Sequence, residues 1–332
     1  MHHPFPTPKD ILGSGARDNN HERSYQLSIL AGLANRIPTN GIALVKKMLV
    51  AKGWQASVWN HKNNQGFLLE SDEATVLVFA GSNQLSDWWK NAQAFSPDDH
   101  AIGGRTHGGF LKVLNQGIHE ALKLPEASGV PLFIAAHSLG GAVATMFCAH
   151  LHAINHSQAE KLHLVTYGMP RLGTEEFAKA YNKLMADRHW YYANSRDPVT
   201  KLPTNLMGYR HVGELFYFTR KNVLTNPPRE SVGLQAGEPG NEDIAAAAEW
   251  DQEEIDMAAA AKISTEQDYE VIKARVIDEL NQQDDEGIAL SEEEGAIVTT
   301  DDDVELEGAI VNWLAGRHFI QTYMDNLHRA VQ

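Results

Sequence analysis

The sequence predicts an α/β protein with a largely parallel central sheet, and three observations carry that prediction. Short, continuously apolar runs recur along the first two thirds of the chain: ATVLVFAG, VPLFIAA, LHLVTYG and HWYYANS. A strand apolar on both faces is what a sheet covered by helices on both sides requires. Stretches of helical spacing separate these runs, so strand and helix alternate. Finally, 332 residues exceed what a single core usually holds, which predicts one large domain with an appendage.

The elements follow in order. Helical spacing covers Glu22 to Arg36 and again Ile42 to Gly53. WQASVWN, NNQG and GFLLES read as a hairpin turning at NNQG, with ATVLVFAG as a third strand. From His107 to Leu124, residues Phe110, Val113, Leu114, Ile118 and Leu122 share one helical face. VPLFIAA is a strand, and Leu139 to His152 a helix. LHLVTYG is a strand, Thr174 to Met185 a helix, and HWYYANS and YRHVGELFYF are strands. FIQTYMDNLHRAV closes the series as a helix. No internal repeat is visible.

Composition is that of a soluble globular protein, with 43% hydrophobic and 21% charged residues. The single cysteine, Cys148, excludes an intramolecular disulfide. The first residues lack a cationic stretch followed by an apolar one. The expectation is therefore a protein cytoplasmic as synthesised, or exported without a cleavable signal peptide. No run approaches the ~18 apolar residues of a membrane span, and GIALVKKMLV is broken by Lys46 and Lys47.

The net charge of −15 is unevenly spread. Pro228 to Gly308 holds 25 Asp and Glu against 4 Lys and Arg, a net of −21, so the rest of the chain is +6. Phosphate repulsion argues against nucleic acid as a partner of the acidic block. The block is expected to be partly helical. Asn241 can cap a helix with Glu242 and Asp243 in its first turn, and Ser264 with Gln267 forms a capping box ahead of Tyr269, Ile272, Val276 and Leu280. Its second half reads as solvated loop. No EF-hand pattern is present, and neither a metal nor a cofactor is expected.

The chemistry centres on Ser138, in FIAAHSLGGAVATMF. It lies between an apolar strand and a helix, the context of a nucleophile elbow. Such a turn needs small residues two before and two after the serine. Gly140 and Gly141 supply them on one side, and Ala136 adds one methyl on the other. The helix starting at Leu139 aims its N–H groups at the place where an oxyanion would form. The alternative is a serine that merely caps that helix.

With these residues in view, the chain resembles the class 3, fungal-type triacylglycerol lipases of the α/β-hydrolase superfamily. VLVFAGS with SDW resembles their oxyanion strand and the start of their lid, RTHGGF their V-H-x-G-F, and AHSLGGA their elbow. VTYGMPRLG, NSRDPVTKLP and GYRHVGELFYF resemble the segments that follow. GRHFIQTY resembles the C-terminal H-x-x-Y region, with its tyrosine two residues late. The matches cover roughly Val76 to Phe218 and the last ~20 residues.

The resemblance implies a Ser138, Asp197 and His318 triad, in the Ser, Asp, His order of α/β-hydrolases. It implies an oxyanion hole from the N–H groups of Ser82 and Leu139, with the Ser82 hydroxyl as an added donor. Of the other histidines, His107 matches a motif near the substrate groove, His211 a strand motif, and His137 should point away from the nucleophile. Trp88 and Trp89 fall in a candidate lid with transient lipid-interface contact, although Trp88 equally fits an interior packing role.

The implied organisation is a hydrolase domain from 1–227 and 309–332 and an acidic insertion at 228–308. That insertion is either a cap near the active-site mouth or a solvated excursion. Ala80 stands where the family often has arginine, so whatever that arginine braces must be braced otherwise. The implied function is hydrolysis of carboxylic esters of lipids, with no cofactor. The alternatives are a phospholipase A-type enzyme or secreted effector, a short-chain or feruloyl-type esterase, and an inactive lipase fold used as a binding module.

Overall fold

Strands and helices alternate as the apolar runs demand. The computed structural model of the chain describes residues 4–12, 20–37, 41–61, 64–81, 99–111, 130–195, 197–201, 203, 208–219, 222–226 and 320–332. The elements are α1 (Pro8–Leu12), α2 (Asn20–Ala34), α3 (Ile42–Val50), β1 (Gln55–His61), β2 (Asn64–Glu70), β3 (Thr75–Phe79), β4 (Leu132–His137), α4 (Leu139–Ala153), β5 (Leu162–Tyr167), α5 (Glu175–Met185), β6 (His189–Asn194), a 3-10 turn (Pro198–Lys201), β7 (Glu214–Phe218), β8 (Leu224–Thr225) and α6 (Ile320–Val331).

The strands form one eight-stranded sheet whose spatial order is the sequence order. β1, β2 and β3 pair antiparallel, β3 to β7 are parallel, and β8 returns antiparallel. Successive residues alternate between two cores. Leu77, Phe79, Leu132, Ile134, Ala136, Leu164 and Tyr191 pack with α4 and α5 on one face. Val76, Val78, Phe133, Ala135, Val165, Tyr167 and Tyr192 pack with α2, α3 and α6 on the other. Both faces are buried, which is why the strands show no polar alternation.

Two boundaries differ from the sequence reading. The hairpin reverses between His61 and Asn64, which pair, and not across NNQG. Gly66 lies inside β2, where a Cβ would come within 2.0 Å of the Val78 carbonyl oxygen and 2.6 Å of the Trp59 ring. Its glycine serves close approach across the sheet instead of a turn. YRHVGELFYF is a strand only from Glu214, because Gly213 at φ 85 breaks the extended backbone. The helix expected from His107 to Leu124 is described only to residue 111, helical from 108. The acidic block at 228–308 lies outside the described residues.

The helices are positioned by local chemistry. Thr174 caps α5 by accepting the Phe177 N–H, with Glu175 and Glu176 in the first turn and Lys183 in the last. α4 is buried on nearly every side, since it lies directly on the sheet. α6 buries Ile320, Tyr323, Met324 and Leu327 against α2, where a Cβ at Gly32 would stand 3.1 Å from Met324 Sδ. Each large side chain so buried contributes about 1.5–3 kcal/mol.

Candidate active site

The site lies at the C-terminal ends of the parallel strands, where ligands of open α/β sheets are held. Ser138 follows β4 directly and has φ 58, ψ −132. A non-glycine residue in this left-handed region is strained and persists only where its surroundings impose it. The imposition is visible. The Ser138 N–H donates to the Tyr167 carbonyl at 2.9 Å, and its own carbonyl accepts the Gly141 N–H at 2.8 Å. Ser138 occupies the N-cap position of α4, yet its side chain makes no capping bond. The hydroxyl is buried and has no hydrogen-bond partner among the described residues. The capping alternative therefore fails.

Contact requires a glycine at 140 and leaves little room at 141 and 81. A Cβ on Gly140 would meet the Ala80 carbonyl oxygen at 2.3 Å, and one on Gly141 the Met169 side chain at 3.0 Å. One on Gly81 would stand 3.2 Å from Ser138 Cβ. The backbone leaving β3 thus lies against Ser138 and against the start of α4. Ala136 faces the α4-side core, fully buried, and its methyl is accommodated there. Leu139 opens α4 with its backbone beside Ser138, at the positive end of a 15-residue helix dipole.

Asp197 sits on the turn after β6 and is fully buried. Its Oδ2 accepts the Tyr323 hydroxyl at 2.6 Å, and its Oδ1 accepts the Val199 N–H at 2.9 Å. The Thr200 hydroxyl donates to the Asp197 carbonyl at 2.8 Å. The turn is pinned by His211, whose Nε2 lies 2.6 Å from the Thr200 carbonyl and therefore carries the proton. Burial, then the Arg171 charge, pushes the His211 pKa well below its usual value, so the ring is neutral and its ring face stacks on Tyr191. Burial, with the Asp197 charge behind it, pushes the Tyr323 phenol far upward, so it remains a donor.

The other expected site residues distribute as follows. His107 is buried, its ring against Phe110 at 4.5 Å and Tyr209 at 6.0 Å, and its Nδ1 accepts the Gly109 N–H. Ser82, Trp88, Trp89 and His318 lie outside the described residues; α6 begins two positions after His318. Among the described residues no group of three His, Cys, Asp or Glu is placed to hold a metal, and no helix is long and apolar enough to cross a membrane. Two contacts escaped the sequence reading: Tyr323 on Asp197, and Asn35 on Gly81 and His137. The tyrosine was visible in GRHFIQTY, but its partner was not. Asn35 carried no signal at all.

Residues 76–207 match the class 3 lipase family. The chain is 29% identical over 161 residues to the secreted mono- and diacylglycerol lipase A of Penicillium cyclopium, covering 47% of this chain and 51% of that one. It is 38% identical over 123 residues to the toxin TseL of Vibrio cholerae serotype O1, covering 34% and 17%. Its structure resembles the Rhizomucor miehei triacylglyceride lipase with a TM-score of 0.53 at 20% identity, over 64% of this chain and 84% of that one. The last comparison bears on the fold. The chain spans about half the length of the fungal relatives it matches.

Proposed function

We propose, from the match of residues 76–207 to the class 3 lipase family, that this chain is a serine hydrolase of the α/β-hydrolase fold, cleaving carboxylic esters of lipids. The observation that carries the reading is Ser138. A buried hydroxyl that caps nothing, held at φ 58 on a strand-to-helix turn, has no structural task that repays its strain.

In the proposed reaction Ser138 Oγ attacks the ester carbonyl while His318 takes its proton. The tetrahedral oxyanion is held by the N–H of Leu139, at the head of α4, and by that of Ser82. His318 then protonates the leaving alcohol, which leaves an acyl group on Ser138. A water molecule, deprotonated by His318, releases the acid and restores the hydroxyl. Asp197 orients His318 and stabilises its charged form. The polar ligation of both Asp197 oxygens supports this role, because it keeps the carboxylate in one orientation. The stretch with Trp88 and Trp89 serves as the lid that meets the lipid surface, and His107 packs beneath the groove.

Labelling with a fluorophosphonate probe tests the reading, together with hydrolysis of a p-nitrophenyl ester chain-length series. Wild type should label and hydrolyse, and Ser138→Ala should do neither. Preference for long chains separates a lipase from a short-chain esterase, and release of fatty acid from phospholipid vesicles identifies a phospholipase. A wild type that neither labels nor hydrolyses any ester overturns the proposal.

A further inference from the structure

Gly81 lies just past the last rung of β3. Phe79 pairs with Gly66 on one side and Ala136 on the other, and the Ala80 N–H donates to the Gln65 carbonyl at 2.9 Å. The Gly81 N–H is taken by a side chain from far away in sequence: Asn35, one residue beyond α2, accepts it on Oδ1 at 2.7 Å.

That bond orients the whole amide. A backbone N–H only donates, so Oδ1 faces Gly81 and Nδ2 faces His137, whose Nδ1 lies 3.1 Å away. Nδ2 also only donates, so His137 Nδ1 must present a lone pair, and the imidazole is neutral with its proton on Nε2. The His137 ring meets Tyr323 edge-on at 6.3 Å, and Tyr323 in turn holds Asp197. One amide therefore joins the end of α2, the exit of β3 and the residue that precedes the nucleophile.

The exit of β3 needs such a clamp. A Cβ on Gly81 would press on His137 Nδ1 at 3.1 Å and on the His137 carbonyl oxygen at 3.2 Å, so the position favours glycine. Glycine is also the residue least able to hold its own backbone still. Ala80 offers no polar side chain to steady it. The next residue is Ser82, the proposed second oxyanion donor, and such a donor works only when it is aimed before charge develops.

We propose that Asn35 is a positioning residue for the oxyanion hole, fixing the Gly81 peptide in one orientation against His137 and Ser138. This rests on the hydrolase reading above and extends it to a residue outside every motif of the family resemblance.

The test compares Asn35→Leu and Asn35→Asp with wild type on a soluble p-nitrophenyl ester, alongside inhibition by phenylboronic acid and thermal melting. The boronic acid bonds through boron to Ser138 Oγ, whose proton passes to His318, and becomes a tetrahedral anion that occupies the oxyanion positions. Asn35→Leu should lower kcat about 10- to 100-fold with KM within about twofold, and weaken boronate inhibition by a similar factor. Asn35→Asp keeps an acceptor for the Gly81 N–H, with His137 moving its proton to Nδ1 to donate to the second carboxylate oxygen, and should recover most of that loss. If the leucine variant does not fold, Asn35→Ala takes its place.

Unchanged kcat and boronate inhibition in Asn35→Leu overturn the proposal, whether or not the melting temperature falls. So does an aspartate variant as impaired as the leucine one. A wild type that neither hydrolyses the ester nor binds the boronate overturns the hydrolase reading, and this assignment with it. A wild type active in both assays, with Asn35→Leu unaffected, overturns the Asn35 assignment alone.

Discussion

The Tyr323 hydroxyl donates to Asp197 Oδ2 at 2.6 Å while accepting the Asn194 N–H at 3.1 Å. The phenol thereby ties the end of β6 and the carboxylate to α6. Tyr323→Phe removes both a charge-assisted donor to Asp197 and the hydroxyl that accepts the Asn194 N–H. The expected outcome is a loss of about 1–3 kcal/mol in stability and a fall in kcat of roughly tenfold with KM little changed. Urea unfolding and steady-state kinetics check it, and wild-type kcat in a stable variant would show that Asp197 needs no help from α6.

Ser138 pays for its position in backbone strain, with φ at 58. Ser138→Gly should abolish ester hydrolysis and raise stability by about 1 kcal/mol, since glycine takes left-handed backbone freely. For a chain of this size the melting temperature should rise by roughly 2–4 °C. An inactive variant that melts no higher than wild type would mean that the turn is unstrained.

The elbow tolerates its alanine and not the reverse change on the other side. Ala136→Gly should cost about 1 kcal/mol from added chain freedom and a lost buried methyl, without gain in kcat. Gly140→Ala drives a Cβ to 2.3 Å from the Ala80 carbonyl oxygen and should fail to fold or lose nearly all activity. Expression, melting and kinetics of the two variants decide it. A soluble, active Gly140→Ala would contradict the close packing of α4 on β3.

His163 gives the fold a pH dependence of calculable sign. Burial, then the Arg23 and Arg188 charges, lowers its pKa from 6.5 to about 4. Between those values the unfolded chain binds a proton that the folded chain does not. Stability is therefore full above about pH 6.5, falls as pH drops toward 4, and loses on the order of 3 kcal/mol over that window from this residue. His163→Phe keeps the ring between Phe133 and Trp190 and should flatten the slope. Denaturant titrations at pH 7.5 and 5 measure it, and parallel slopes for the two proteins would refute the assignment.

Legibility in the sequence followed the range of the interactions. Period and apolarity are local, so β3, β4, β5 and β6 were readable within a residue or two of their observed ends. The strand-to-helix turn at Ser138 was readable because strand, serine and glycines are contiguous. The role proposed for Asp197 rests on the family pattern, since an aspartate before a proline is otherwise a turn residue. Gly66 was mistaken for a turn because its crowding comes from Val78 on the neighbouring strand. Asn35 and Tyr323 act across 46 and 126 positions, and no spacing rule reaches that far.

The sheet order repeats the chain order from β1 to β8, so each new strand finds its neighbour already in place. Among the described residues, α6 then returns to lie against α2. A chain emerging from its N-terminal side therefore builds the cradle of Ser138 well before Asp197 acquires its phenol. On the hydrolase reading, His318 arrives in the same late step. On that reading the protein passes this stage of its synthesis unarmed, with Ser138 shaped early and competence withheld until α6 docks.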